Sequence, residues 1–174
     1  MKRRTFGLLA ASAAATAACT DSSGNKFKSY NGPEVTSIVV NKGARNMYLL
    51  HHQEILEQYE FALGFAPDGD KKIKGDGRTP EGSYFINRRN PNSAFHLSLG
   101  ISYPNAKDIA EARALGREPG GDIFIHGQPN LFADRKKAKA RGEDWTAGCI
   151  AVKNKEIEDI YAMVRMGTVI SIRA

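Results

Sequence analysis

Cysteine and histidine are scarce in this sequence: 174 residues contain two cysteines and four histidines. His51 and His52 are adjacent at the end of a predicted strand, so their side chains point to opposite faces and cannot share one metal ion. No other Cys/His ligand set exists, and the sequence therefore predicts no metal site. Glycine is frequent between Gly69 and Gly82, but this stretch lacks the spacing of a nucleotide-binding loop.

Long apolar runs and basic-aromatic clusters are also missing. No run of about 20 apolar residues follows residue 24, so no membrane-spanning helix is expected in the mature chain. The net charge is +6, and it falls to +3 when the three basic residues of the first 18 positions are set aside. This mild excess, without a basic-aromatic stripe, predicts no nucleic-acid partner.

Residues 1–24 have the pattern of an export signal. Three basic residues at positions 2–4 precede an alanine-rich apolar run over residues 6–18, as expected for such a segment. Arg3-Arg4-Thr5-Phe6 resembles a twin-arginine signal, and Thr16-Ala17-Ala18-Cys19 resembles a lipoprotein processing box with Thr16 where leucine is usual. We expect export to the periplasm or cell envelope, with either lipidation of Cys19 or simple cleavage near it.

Residues 25–34 are predicted to form a flexible tether, and residues 35–174 a single domain. Short apolar segments separated by turn residues predict strands: residues 35–40, 46–51, 54–63, 83–87, 95–101, 123–125 and 168–172. Helices are predicted over residues 108–115, capped by Asp108, over 130–141, and over 154–164, capped by Asn154. The expected fold is mainly β with helices, an antiparallel β-sandwich or open barrel.

One histidine and one cysteine stand at the ends of apolar segments. His126 follows Ile123-Phe124-Ile125 and precedes Gly127, where a buried strand gives way to a loop. Cys149 follows Gly148, whose missing side chain allows close approach of a substrate. A cysteine reacts as the thiolate, and a nearby imidazole can take its proton. An unpaired thiol in an exported protein therefore suggests a nucleophile, although a lone cysteine is more often a buried apolar residue.

These motifs resemble those of a known enzyme family. Ile125-His126-Gly127, followed after an insert by Thr146-Ala147-Gly148-Cys149-Ile150, resembles the catalytic motif of the L,D-transpeptidases, bacterial enzymes that remodel peptidoglycan. Thr79-Pro80-Glu81-Gly82 is similar to a second family element, so the resemblance covers roughly residues 35 to 172. Many members carry other residues at Ala147 and Ala151. The form found here is similar to that of a subgroup that includes hydrolases of wall-linked lipoproteins.

The resemblance implies a mechanism without metal or organic cofactor. Cys149 would attack a peptidoglycan stem peptide and His126 would move the proton, with the carbonyl of Gly127 orienting the imidazole. The amides of Gly148 and Cys149 would stabilise the oxyanion. His96, Tyr103 and Thr146 are predicted substrate-binding residues, with ordinary strand packing as the alternative for the first two. The thioester would pass to an amine, giving a cross-link or protein attachment, or to water.

Other functions remain open from the sequence. A hydrolytic member of the same family would act as a carboxypeptidase or release a wall-linked lipoprotein. A sortase also pairs histidine with cysteine, but it needs a downstream arginine near the thiol, and Arg165 and Arg173 are poorly placed. A non-catalytic wall-binding lipoprotein would simply bury Cys149. A catalytic Cys149 is expected to have an acidic pKa and to alkylate rapidly at neutral pH. The basic insert 130–141 could cover the site or contact an anionic wall polymer, although charge runs are usually solvated.

Overall fold

The computed structural model describes residues 25–174, and the predicted export signal with Cys19 lies outside them. Eight strands form the sheet: β1 (Ser37–Asn41), β2 (Asn46–His51), β3 (Glu54–Glu60), β4 (Gly82–Asn90), β5 (Ser98–Ile101), β6 (Phe124–His126), β7 (Ile150–Ala151) and β8 (Val169–Arg173). Three helices accompany it: α1 (Ala106–Ala114), α2 (Phe132–Ala140) and α3 (Asn154–Met163). Within these residues, none of the helices has the length and apolar character needed to cross a membrane.

The strands run in the order β3-β2-β1-β8-β4-β5-β6-β7. Most neighbours are antiparallel, but β1 pairs with β8 and β6 pairs with β7 in parallel. Beyond β3, Ala62 forms an antiparallel bridge with Ala151 of β7, and Gly64 bridges Thr146. The two outer edges of the sheet are thus joined over a short stretch. The sheet as a whole curves into a half-barrel, and these two bridges connect its edges only locally. The predicted mainly β fold with few helices is confirmed.

The core lies inside the curved sheet, as the alternation of side chains along each strand requires. In β1 and β8 every second residue is buried, including Ile38, Val40, Ile170 and Ile172. Helix α3 closes one side because Ile157, Ile160 and Tyr161 form its buried face. Burial of each large side chain stabilises the fold by about 1.5–3 kcal/mol. The apolar periodicity that predicted these elements therefore also specifies the core.

Several element boundaries differ from the predicted ones. Strand β4 extends to Asn90, whereas β5 begins only at Ser98 because His96 has a φ of +71° and cannot continue an extended chain. Helix α1 is capped by Asn105, and Asp108, the predicted cap, completes a capping box from within the helix. The predicted cap of α3 is also wrong. Asn154 is the first helical residue, and its side chain accepts a hydrogen bond from the Gln128 amide at 2.8 Å.

Residues 25–34, predicted to be a flexible tether, contain no helix or strand but contact the domain. Lys26 Nζ donates hydrogen bonds to the carbonyls of Pro91 and His96, at 2.5 and 3.1 Å. Lys28 Nζ forms an ion pair with Asp159 on α3 at 2.8 Å. This stretch therefore contacts both α3 and the loop that connects β4 to β5.

Candidate active site

His126 is held by the sheet and by aromatic rings. It ends β6, with β5 on one side and β7 on the other, and its exposed fraction is 3%. The Phe95 ring lies 4.5 Å from the imidazole, and the Trp145 ring lies 5.6 Å away at 64°. The position of this side chain is therefore fixed by regular secondary structure and dense packing.

One hydrogen bond defines the tautomer of this imidazole. Nδ1 of His126 lies 2.7 Å from the carbonyl oxygen of Gly127, the contact that the family resemblance implied. A carbonyl oxygen can only accept, so Nδ1 carries the proton and Nε2 of the neutral ring is free to accept one. Burial lowers the pKa of His126 to about 4, although the Gly127 carbonyl acts in the opposite direction. The ring is therefore a neutral base at neutral pH.

Cys149 faces the same space as His126. In the parallel pairing of β6 with β7, Ile125 lies beside Ile150 and His126 beside Ala151. Strand alternation then places Cys149, just before β7, on the face that carries His126. Both side chains line one cavity. Within residues 25–174 no hydrogen bond joins them; the thiol donates to the carbonyl of Asp122 at 3.5 Å.

The surroundings of the Cys149 thiol favour its protonated form. Burial raises the pKa of Cys149, and the carboxylate of Asp122 raises it further. The amide of Phe124 and the ammonium of Lys71 act in the opposite direction but do not reverse the shift. The sequence predicted an acidic pKa for Cys149, whereas the surroundings of the thiol in the structure shift this pKa upward.

Hydroxyl groups hold the loop that carries Cys149. Thr79, fully buried, donates to the carbonyl of Gly148 at 2.9 Å. Thr146 donates to the carbonyl of Cys149 at 2.7 Å and accepts from the amide of Gly148 at 3.1 Å. Gly148 has a φ of +130°, and a Cβ atom here would lie 2.6 Å from the Arg78 carbonyl oxygen. Only glycine fits this backbone conformation and close approach.

These contacts refine three predicted roles. The amide of Gly148, expected to help bind the oxyanion, is already engaged by Thr146. The amide of Cys149 has no hydrogen-bond partner within the described part of the chain. Thr146 lines the cavity but uses its hydroxyl to support the cysteine loop. Of the two expected oxyanion donors, the Cys149 amide is therefore the one left free in this state.

Sequence reasoning missed two residues that shape the site. It assigned Thr79 only to a turn before a strand, although the Thr-Pro-x-Gly resemblance marked the position. It gave no role to Asp144, whose carboxylate accepts from the amide of Leu63 at 2.9 Å and pairs with Arg45 at 2.7 Å. These contacts fix the chain just before Trp145. Both interactions join segments far apart in sequence, which explains why local patterns did not reveal them.

Two cavities of similar size meet at the thiol. The aromatic cavity, of about 630 Å³, contains Phe95, Phe124, His126 and Trp145 in its wall. The glycine cavity, of about 620 Å³, is lined by Lys71, Lys74, Gly75, Glu118, Gly120 and Gly121, among others. Asp122, Ala147 and Cys149 line both cavities. A sulfur atom at this junction can be approached from two directions.

The two other predicted binding residues lie elsewhere. Nε2 of His96 lies 2.7 Å from a carboxylate oxygen of Glu158 on α3. Tyr103 is buried, and its hydroxyl donates to the carbonyl of Pro119 at 2.8 Å. Neither side chain lines the aromatic or the glycine cavity. Among the residues that the structure describes, no three His, Cys, Asp or Glu side chains cluster in a way that could hold a metal ion.

Comparisons with known proteins point to one family. The family model for YkuD, the L,D-transpeptidase catalytic domain, matches residues 36–172. YafK of Escherichia coli, a candidate L,D-transpeptidase, is 29% identical over 113 residues, which are 64% of this chain and 38% of YafK. The chain thus spans well under half of that relative's length.

Solved structures show the same fold. The helical cell shape determining protein Pgp2 of Campylobacter jejuni matches with a TM-score of 0.58 and 26% identity, over 86% of this chain and 51% of Pgp2. An L,D-transpeptidase of Mycobacterium smegmatis matches with a TM-score of 0.51 over 80% of this chain and 59% of that protein. Its identity is 14%, so this likeness concerns the fold alone.

Proposed function

The chain belongs to the L,D-transpeptidase catalytic domain family, and from this premise we propose that it is a cysteine acyltransferase acting on peptidoglycan stem peptides. Cys149 is the nucleophile and His126 the general acid and base. The observation that carries the proposal is the unprotonated Nε2 of a neutral imidazole on the wall of the cavity that holds the thiol. No cofactor enters the reaction. Its substrate places the protein outside the cytoplasm, in agreement with the export signal predicted for residues 1–24.

The first step makes a thioester. Sγ of Cys149 attacks the carbonyl carbon between an L-centre and a D-residue of the stem peptide, while its proton passes to Nε2 of His126. The pKa of His126 is lowered and that of Cys149 is raised. A stable ion pair is therefore disfavoured at rest, and proton transfer accompanies the attack. The Cys149 amide donates to the oxyanion. The carbon–nitrogen bond then breaks, and His126 returns the proton to the leaving amine.

The second step resolves the thioester. An acceptor amine gives its proton to His126 and attacks the thioester carbon, and the thiolate leaves and regains that proton. The aromatic and glycine cavities, which meet at Cys149, provide separate approaches for donor and acceptor. The product is a cross-link between stem peptides or an attached protein.

Hydrolysis is the alternative outcome of the same thioester. Water in place of the amine makes the protein a carboxypeptidase or an amidase that releases wall-linked lipoprotein. The Asp144-Trp145-Thr146-Ala147-Gly148-Cys149-Ile150-Ala151 segment supports this alternative through its likeness to the subgroup with such hydrolases. A non-catalytic wall-binding protein is disfavoured by the placement of the thiol, which is partly exposed in a cavity and not packed in the core.

The test incubates the purified full chain with defined tetrapeptide muropeptides, with and without an added amine acceptor, and with lipoprotein-linked muropeptides. Intact-protein mass spectrometry should detect an acyl adduct that maps to Cys149. Cross-linked product in the presence of the amine supports transfer, whereas tripeptide or released lipoprotein alone supports hydrolysis.

Two variants test whether Cys149 and His126 carry out the proposed reaction. Cys149→Ala should abolish every product and the adduct, and His126→Gln should slow adduct formation by about 10²–10⁴-fold. Turnover by Cys149→Ala at the wild-type rate would overturn the mechanism. A wild-type chain that forms neither adduct nor product from any of these peptides would overturn the proposed function.

A further inference from the structure

The aromatic cavity carries two cations contributed by α2 and the residue that follows it. Lys137 and Arg141 both line this cavity, as does Ala138 between them. They are four residues apart, and such residues lie on the same face of a helix. The basic insert contains three further cations, and none of them lines the cavity: Arg135, Lys136 and Lys139. Two of the five cations of the insert therefore lie at the site, although their side chains remain exposed to solvent.

These two cations have weak partners of their own. Lys137 Nζ lies 3.5 Å from Asp134, and 74% of its side chain is exposed. Among the described residues, the guanidinium of Arg141 has one long hydrogen bond, of 3.5 Å, to the carbonyl of Trp145. In the glycine cavity, by contrast, Lys71 is buried and pairs with Asp76 at 2.7 Å. Lys74, the other lysine of the glycine cavity, is exposed and lies 3.5 Å from Glu118. The glycine cavity thus combines one neutralised and one weakly paired cation, whereas both cations of the aromatic cavity have unused donors.

Two carboxylates also line the aromatic cavity, and neither neutralises this pair. Asp122 is engaged by Arg88 at 2.9 Å. Within residues 25–174, the ion contact of Asp134 is the one with Lys137 at 3.5 Å. A guanidinium offers a planar set of donors that matches a carboxylate, and an ammonium adds a second charge. This wall of the cavity is thus suited to an anionic group on a ligand that reaches the thiol.

We propose that Lys137 and Arg141 bind a carboxylate of the acyl-donor peptide and so select an anionic donor for the aromatic cavity. The inference rests on the proposed function, because it assumes that the donor is a stem peptide. Such a peptide offers two sources of the group, its terminal carboxylate and a side-chain carboxylate. The acceptor amine then approaches from the glycine cavity.

The experiment compares donor peptides that differ in one group. Three donors are used: the free acid, the form amidated at the terminus, and the form amidated at the side-chain carboxylate. Steady-state kcat and KM are measured for the full chain with each donor. Equilibrium binding of each donor is measured with the Cys149→Ala variant, which does not require turnover.

Two double variants remove equal charge from the same insert. Lys137→Ala/Arg141→Ala removes the cations that line the cavity, and Lys136→Ala/Lys139→Ala removes two that do not. The first should raise KM and Kd for the free acid about tenfold while leaving one amidated donor unaffected, and that donor identifies the carboxylate concerned. The second should change these constants less than twofold. Rising salt should weaken free-acid binding to the wild type more than to the first variant.

Several results would overturn the inference. Equal effects of the two double variants would show only a general charge effect. Wild-type binding that does not distinguish acid from amide at either position would show that no carboxylate is recognised. If the wild type turns over no donor, the proposed function fails, and binding of the free acid to the Cys149→Ala variant still decides whether the two cations recognise a carboxylate.

Discussion

The histidine and the cysteine of the candidate site are positioned by different means. His126 ends a regular strand and packs against Phe95 and Trp145 in a nearly dry environment. Cys149 lies on an irregular loop whose carbonyls are held by the hydroxyls of Thr79 and Thr146. The histidine is thus placed by the core, whereas the cysteine is placed by individual hydrogen bonds, of which the one from Thr79 comes from a distant segment.

This difference indicates how the site can be disturbed. Core packing distributes its energy over many contacts. The position and pKa of His126 should therefore change mainly when a substitution admits water or a charge. A loop held by a few hydrogen bonds loses a large share of its restraint with each one removed. The cysteine should therefore respond to single substitutions outside the cavity, and the predictions below test each half of the pair.

The largest expected effect concerns the dry surroundings of His126. Its pKa is about 4 in the folded protein, against 6.5 when unfolded. The unfolded chain therefore binds a proton as pH falls below 6.5, while the folded chain resists until about pH 4. Stability contributed by this group is present above pH 6.5 and is lost on acidification, by about 3 kcal/mol at pH 4. Urea unfolding at pH values from 7 to 4 measures this loss.

The control for this prediction is His126→Gln, which keeps a polar side chain but does not titrate. Carboxylates also titrate in this range, so the informative quantity is the difference between the two proteins. Wild type should lose about 3 kcal/mol more than the variant between pH 7 and pH 4. Parallel stability curves would show that the imidazole is hydrated in solution.

A smaller effect is expected when the cysteine loop loses one of its hydrogen bonds. Thr79→Val keeps the shape of the side chain but removes the hydroxyl that donates to Gly148 at 2.9 Å. We expect a loss of about 1–2 kcal/mol in stability. Because the loop carries the nucleophile, acylation of Cys149 should also slow by about tenfold, equivalent to about 1.4 kcal/mol. Chemical denaturation and the rate of adduct formation measure the two effects.

Thr79→Ser separates these two effects. It keeps the hydroxyl but deletes a buried methyl group, which costs about 1 kcal/mol in stability. The serine variant should therefore lose stability and still acylate at nearly the wild-type rate. If serine and valine slow acylation equally, the hydroxyl does not position the nucleophile, and packing at this position is what matters.

The smallest effect is expected at a histidine outside both cavities. His96 pairs with Glu158 at 2.7 Å on the side of α3 and not with the thiol. His96→Asn, which tolerates the positive φ of this residue, should change kcat/KM by less than twofold. A tenfold loss would show that the contact between His96 and Glu158 positions Phe95, the preceding residue, against His126.

The sequence predicted the parts of this molecule that depend on local patterns. Apolar alternation located most strands, and the strand-His-Gly and Gly-Cys motifs pointed to His126 and Cys149, which line one cavity. It did not predict the bridges from Ala62 and Gly64 to the far edge of the sheet, since these pairings join segments that are remote in sequence. The support from Thr79 was missed for the same reason. The direction of the Cys149 pKa also required the structure, because it depends on burial.

The position of β8 has a consequence for how the chain can fold. This strand, Val169–Arg173, lies between β1 and β4 in the middle of the sheet, and its parallel partner β1 begins at Ser37. During synthesis, no strand connects β1 to β4 until residues 169–173 have emerged from the ribosome. The sheet must therefore remain interrupted, with unpaired strand edges on β1 and β4, until β8 is available to pair with them. Removal of Val169–Arg173 would break the sheet between β1 and β4.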